Sequence, residues 1–120
     1  MRFTVSRTTQ DGINLIELSD PAQQACAAIA PEHGAMLHAF SLHAGSGPYN
    51  VIDNYSGLGQ LQSELSSSFK SAKLSPFAAR IKEGKYVYDG EPMEFPDKYA
   101  DGTVLHGLLY NKPFTVVDKL

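Results

Sequence analysis

Short β-prone runs separated by turn residues make up most of the hydrophobic pattern of the chain. The first two runs cover residues 3–7 and 13–18 and flank Asp11 and Gly12. An Asp-Gly pair supplies the positive φ angles that a tight hairpin turn requires. The pattern therefore predicts that the chain begins with an antiparallel hairpin.

The same turn signal recurs later in the sequence, with further extended segments between the two hairpins. Residues 85–88 and 92–95 flank Asp89 and Gly90, which predicts a second hairpin. The other predicted strands cover residues 25–29, 35–43, 49–55 and 114–117. A total of about seven to nine short strands favours an all-β fold, either one antiparallel sheet or a β-sandwich.

Two segments between the hairpins have patterns of their own. In the strand predicted at 35–43, strict alternation would place Met36 and His38 on one face and Ala39 on the other. Residues 56–68 are rich in Ser, Gln and Gly and carry three leucines at helical spacing. This second segment is interpreted as a short surface helix inserted between strands.

Length, composition and charge narrow the class of protein. A chain of 120 residues with 42% hydrophobic residues is typical of a single domain, here predicted over residues 1–120. A net charge of −3 with dispersed basic residues argues against a nucleic-acid partner. No apolar run approaches the roughly 20 residues of a membrane span, and no signal region follows the N-terminal charge. We therefore expect no membrane association and a cytoplasmic location.

Arg80 is the first candidate for chemistry because a lone cation lies in an apolar setting. It is flanked by Phe77, Ala78, Ala79 and Ile81. Those neighbours predict a partly buried side chain, and a buried guanidinium, which has five donors in a fixed fork, must find acceptors. From the residues alone, either a structural ion pair with a carboxylate or a ligand contact would satisfy it.

His106 is the second candidate and lies between Leu105 and Gly107. A neutral imidazole can donate from one ring nitrogen and accept at the other, which suits a hydroxyl or a ring oxygen. A core histidine satisfied by the protein itself is the alternative interpretation.

Three segments in this order and at this spacing resemble the aldose 1-epimerase, or galactose mutarotase-like, family. They are residues 76–86, with the sequence Pro-Phe-Ala-Ala-Arg-Ile-Lys-Glu-Gly-Lys-Tyr, the hairpin at Asp89, and Leu-His-Gly at 105–107. Residues 30–37 and 50–53 also resemble early strands of that family. The resemblance covers most of the chain but only about the first half of a full family member. It implies an antiparallel fold that is the N-terminal portion of a galactose mutarotase-like supersandwich.

The resemblance also implies an activity, the interconversion of the α and β anomers of a hexose. A base takes the proton of the C1 hydroxyl while an acid protonates the ring oxygen, the ring opens, and closure gives the other anomer. This chemistry implies no cofactor. The resemblance implies that Arg80 and His106 contact the sugar, whereas the family's Glu base and second His lie in its second half and have no position here.

We therefore assign no catalytic residue, and we expect a half-domain or truncated form of the enzyme. Ala79 stands where most members have Asn, which puts the pocket geometry in question. The alternative function is a non-catalytic carbohydrate-binding or oligomerising β module. The last strand, at 114–117, would present an open sheet edge, which favours a homo-oligomer or a partner chain.

Other combinations of polar residues are set aside. His33, His38 and His43 recur at an odd spacing that alternates faces on a strand, so no metal site is predicted. Ser67 and Lys70 match a nucleophile spacing without its companion motifs. The acidic pairs Glu91 with Glu94 and Asp97 with Asp101 are interpreted as solvated loop carboxylates, and Cys26 as a structural thiol.

Overall fold

The computed structural model describes residues 2–117, which are mostly antiparallel β-strand with one α-helix in that range. The all-β antiparallel fold predicted from the sequence is confirmed. The chain forms two compact units: residues up to Lys73 together with those from Tyr110 onward, and Leu74–Leu109. A single domain over residues 1–120 stays a prediction. Within the described range, no helix combines the length and apolar character needed to cross a membrane.

The first unit is built on a five-stranded antiparallel sheet whose strands follow one another in chain order. The strands are β1 (Thr4–Gln10), β2 (Ile13–Asp20), β3 (Ala25–Ala30), β4 (Met36–Ala44) and β5 (Gly47–Asn50). Asp11 and Gly12 form the first turn with φ angles of 50° and 83°. The first predicted hairpin and the strand at 25–29 are therefore confirmed.

The core of the first unit lies between one face of this sheet and the helix α1 (Leu58–Ser68). Its buried members are Ile13, Leu15, Ala28, Ala30, Met36, Tyr55, Leu61 and Leu65. Leu61 and Leu65 are one turn apart and insert into this core from α1. The helix predicted at 56–68 thus exists, but it forms one wall of the core and is more than a surface insertion.

A β-bulge in β4 overturns the predicted alternation of its side chains. Ala28 of β3 pairs with Ala39, and the next residue, Ile29, pairs with Leu37, which leaves His38 as the extra residue. A bulge shifts the facing of every later residue by one position. Met36 and Ala39 both lie against the core, and His38 is buried.

The opposite face of the sheet carries an apolar row that crosses four strands. Val5 pairs with Leu18, Leu18 with Ala27, and Ala27 with Phe40. Val5 and Leu18 remain exposed, at 38% and 43%. We call this the outer row, and it is defined by Val5, Leu18, Ala27 and Phe40.

Two predicted strands differ from those observed. The strand predicted at 49–55 begins earlier, at Gly47, and ends at Asn50, where the side chain of Asn50 bonds the backbone of Ile52 and turns the chain. The predicted strand at 114–117 is wrong, because these residues are irregular. They are attached to the first unit by one backbone bond, from the N–H of Phe114 to the oxygen of Pro31 at 2.9 Å.

The second unit contains two short strand pairs. β6 (Arg80–Ile81) pairs with β9 (Val104–Leu105), and β7 (Lys85–Tyr88) pairs with β8 (Glu91–Glu94) in the predicted second hairpin. Phe95 stacks on Tyr86 and contacts Phe77, with ring centroids 5.4 and 5.3 Å away. This small unit therefore relies on an aromatic cluster and on one fully buried valine, Val104.

Candidate functional site

Strand pairing brings the two candidate residues, Arg80 and His106, to the same end of one ladder. Arg80 lies directly opposite Leu105, and Ile81 lies opposite Val104. His106 follows the last paired residue of β9. Residues that are 26 positions apart in the sequence are therefore neighbours in the second unit.

A reciprocal pair of hydrogen bonds links His106 to the residue before Arg80. The N–H of His106 donates to the oxygen of Ala79 at 2.9 Å. The N–H of Ala79 donates to Nδ1 of His106 at 3.0 Å. Both residues adopt left-handed backbone angles, with φ of 65° at Ala79 and 58° at His106. The ring is thus held by main-chain atoms on the adjacent strand.

The second of these bonds defines the hydrogen-bonding character of the imidazole. A ring nitrogen that accepts a hydrogen bond carries no proton, so the neutral ring of His106 carries its proton on Nε2. Protonation of Nδ1 would break the bond from Ala79. In the neutral ring, Nε2–H is therefore the hydrogen-bond donor.

Gly107 lets the chain pass directly over Ser75. A Cβ atom at Gly107 would lie 2.3 Å from the carbonyl oxygen of Ser75, and the φ of +76° is one that other residues rarely adopt. That same oxygen accepts a bond from the N–H of Leu108 at 2.9 Å. Gly is therefore required after His106, because any side chain would push the segment away from its anchor.

Arg80 is exposed, whereas its apolar neighbours predicted a partly buried side chain. Asp101 is an acidic group close enough to feel its charge. Hydrogen bonds from Thr103, through its hydroxyl at 2.6 Å and its N–H at 2.9 Å, hold the pKa of Asp101 below its usual value, and the charge of Arg80 adds a smaller effect. Arg80 and Asp101 are therefore close enough for their charges to interact, and His106 is connected to Arg80 through the backbone of Ala79.

Sequence reasoning did not predict two contacts near these residues. Asp101 is exposed in a turn, as expected of a solvated loop carboxylate. Its bonds to Thr103 were not predicted, although an Asp two residues before a Thr is a typical signal for a side-chain-to-backbone turn. The N–H of Ala79 left no signal, because any residue except Pro offers the same donor. The expected difference between Asn and Ala at position 79 concerns the side chain, whereas the contact with His106 is made by the backbone N–H.

The combinations that were set aside lie in separate places. His38 is buried in β4, whereas His43, further along the same strand, is exposed. Across residues 2–117, no three His, Cys, Asp or Glu side chains are grouped to hold a metal ion. Glu94 forms an ion pair with Lys98, and the hydroxyl of Ser67 donates to the carbonyl of Glu64 inside α1.

A comparison with known protein families covers Arg80, Asp101 and His106 together. The model of the family described as Aldose 1-epimerase matches residues 14–120. No curated protein sequence matches the chain significantly. The matched range contains β3 to β9, all of β2 except Ile13, and both candidate residues, Arg80 and His106. Because the match extends over most of the chain, the protein belongs to the aldose 1-epimerase family.

Proposed function

We propose that this protein acts in the interconversion of α and β anomers of a hexose, and that Arg80 and His106 position the sugar. The single observation that carries the proposal is the bond from the N–H of Ala79 to Nδ1 of His106 at 3.0 Å. It supports a ring of fixed orientation, whose donor in the neutral form is Nε2–H, directly after the strand that pairs with Arg80. Such a donor suits a sugar hydroxyl or the ring oxygen, both of which accept hydrogen bonds.

The position of Arg80 supports the same role. Its fork of donors is exposed, so a ligand can reach it, and the nearby carboxylate of Asp101 is fixed by Thr103. A guanidinium binds two adjacent oxygens in one plane, as vicinal hydroxyls present them. Ala79 in place of Asn leaves the backbone contact to His106 intact, so the substitution is compatible with sugar binding.

Neither residue is suited to transfer a proton. The guanidinium of Arg80 stays protonated at any working pH, and Nδ1 of His106 already accepts a hydrogen bond. A neutral imidazole N–H is a very weak acid. We therefore assign positioning to both residues, and no cofactor is part of the proposal. We keep the cytoplasm as the predicted location.

Polarimetry of freshly dissolved α-galactose and α-glucose tests the proposal. Mutarotation with the chain is compared with the buffer rate and with Arg80→Ala and His106→Asn. Asn tolerates left-handed backbone angles, so the second variant removes the imidazole while keeping the turn. Lys82→Ala, an exposed cation in the same unit, is the matched control.

We expect acceleration that both site variants abolish and the control retains. Equal acceleration in all four proteins would contradict the assignment of Arg80 and His106. If no protein accelerates mutarotation, sugar binding is measured by NMR titration. Saturable binding lost in both variants would favour the alternative, a carbohydrate-binding module without turnover.

We also propose that the chain self-associates through the first unit. The outer row leaves Val5 and Leu18 exposed, and β1 and β5 are the two edge strands of the sheet. Exposed apolar surface and unpaired edges both favour association. These edges replace the one expected at 114–117, where no strand forms.

A further inference from the structure

A cleft of about 600 Å³ lies on the first unit, and neither Arg80 nor His106 belongs to its lining. One wall is formed by the hairpin of β1 and β2, and another by residues 114–116. Its lining combines polar side chains on the strands with an aromatic ring from the later segment. The proposed function makes no use of it.

The polar wall is a chain of directed hydrogen bonds. The hydroxyl of Thr9 donates to Oδ1 of Asn14 at 2.9 Å, and Nδ2 of Asn14 donates to Oε1 of Glu32 at 3.1 Å. Thr9 and Asn14 are direct cross-strand partners. The second bond fixes the orientation of the Asn14 amide, because the carboxylate of Glu32 can only accept a hydrogen bond and the amide must therefore turn its N–H toward it. The planar amide of Asn14 and the planar carboxylate of Glu32 are thus fixed in orientation at the wall of the cleft.

Arg7 adds a cation to the same cleft without neutralising the carboxylate. Within residues 2–117, neither Arg7 nor Glu32 forms an ion pair with a protein group, although both line the cleft. The guanidinium has five donors, and the carboxylate has acceptor capacity beyond its one bond from Asn14. The cleft therefore offers donors and acceptors together.

The apolar side of the cleft is the ring of Phe114. Phe114 is 37% exposed, and its backbone N–H donates to the oxygen of Pro31 at 2.9 Å, which anchors the residue. Ile16 and Val116 line the cleft beside it. A flat apolar platform thus lies in the same space as the planar polar groups.

This combination selects one ligand class. A phosphate or another anion would be repelled by the carboxylate of Glu32. A purely apolar ligand would bury Thr9, Asn14 and Glu32 without giving them hydrogen-bond partners. A pyranose has hydroxyls that donate and accept at once, and a C–H face that packs on an aromatic ring. We infer that the cleft is a second carbohydrate site, which takes a neutral sugar ring independently of Arg80 and His106.

The test is an amide ¹H–¹⁵N NMR titration of the whole chain. The probes are methyl β-galactopyranoside and methyl α-glucopyranoside, whose anomeric centres are blocked and cannot be interconverted. We expect saturable shifts at residues 7–9, 14–16 and 114–116 with at least one glycoside. Asn14→Ala and Phe114→Ala should each weaken that binding about tenfold, the loss of about 1.4 kcal/mol expected for one oriented contact.

Two controls separate this site from the proposed function. Arg80→Ala should leave these shifts unchanged, and so should Tyr88→Ala, which removes an exposed aromatic ring of the second unit. The inference is overturned if residues 114–116 show no saturable shift up to about 100 mM of either glycoside. It is equally overturned if the shifts survive both Asn14→Ala and Phe114→Ala, or if Arg80→Ala abolishes them.

Discussion

At the scale of single residues, the backbone angles of Ala79 and His106 determine the geometry of the proposed sugar site. Both are left-handed, with φ of 65° and 58°. This conformation is costly for most L-residues but is several-fold enriched in Asn, Asp and His. His106 is therefore well suited to its position, whereas Ala79 is not. An Asn in place of Ala79 would suit these backbone angles without any need for a side-chain bond to Arg80.

The prediction that follows concerns the stability of an Ala79→Asn variant. Because Asn adopts left-handed angles more readily, we expect its free energy of unfolding to rise by about 0.5–1 kcal/mol. Urea denaturation followed by circular dichroism measures the change. Ala78→Asn is the matched control, since that exposed neighbour has an ordinary negative φ. An equal or larger gain from Ala78→Asn would show that backbone strain at Ala79 is not the cause.

At the scale of elements, local signals predicted structure well. Both Asp-Gly turns formed the hairpins expected of them, with φ of 50° at Asp11 and 49° at Asp89. A two-residue turn depends mainly on its own residues, so it can be predicted without knowledge of distant partners. The three leucines of α1 likewise predicted the helix, and the role of Leu61 and Leu65 in the core follows from the same spacing.

Features that depend on distant partners were not predictable in this way. The bulge at His38 arises from the register between β3 and β4, and the segment 114–117 lacks a partner strand in the described structure. The contact between Ala79 and His106 uses a backbone donor, which no side-chain pattern marks. Arg80 and His106 were candidates because of their apolar neighbours, and the resemblance to the family assigned them to the sugar. Their adjacency comes from the pairing of β6 with β9, which the sequence did not predict.

The bulge of β4 has a consequence for the pH dependence of folding. His38 is 4% exposed, and within residues 2–117 its Nδ1 has no hydrogen-bond partner. Burial lowers the pKa of His38, and the charge of Asp11 opposes this only in part. The folded state therefore disfavours the imidazolium. The stability that comes from keeping His38 neutral is fully present above about pH 6.5, the pKa of His38 in the unfolded chain. This stability is lost as the pH falls from there through the pKa of His38 in the folded state.

A His38→Leu variant tests this dependence. Replacing an unpaired buried polar group by an apolar one of similar size removes its desolvation cost. We expect the variant to exceed the natural chain by about 1 kcal/mol or more in free energy of unfolding at pH 5, and by less at pH 8. His43→Leu, on an exposed part of the same strand, is the control. The same stability difference at both pH values would contradict a titrating His38.

At the scale of the whole molecule, the two faces of the five-stranded sheet differ in how far their apolar side chains are covered. One face is covered by α1 and buries eight core residues. The other carries the outer row, of which Val5 and Leu18 remain exposed. An apolar row that runs across strands is more favourable to association than scattered apolar residues, because a partner can cover it continuously.

The last prediction concerns the self-association proposed for this face. Sedimentation velocity over about 1–100 μM should show a weight-average coefficient that rises with concentration, since burial of apolar area is worth about 25 cal/mol per Å². Leu18→Lys places a charge in the centre of the outer row and should return the chain to a monomer. Ser6→Lys adds the same charge to the neighbouring strand outside the row, so it should leave the association unchanged. A natural chain that sediments as a monomer throughout the range would refute the proposal. If both lysine variants were monomeric, net charge rather than the outer row would control association.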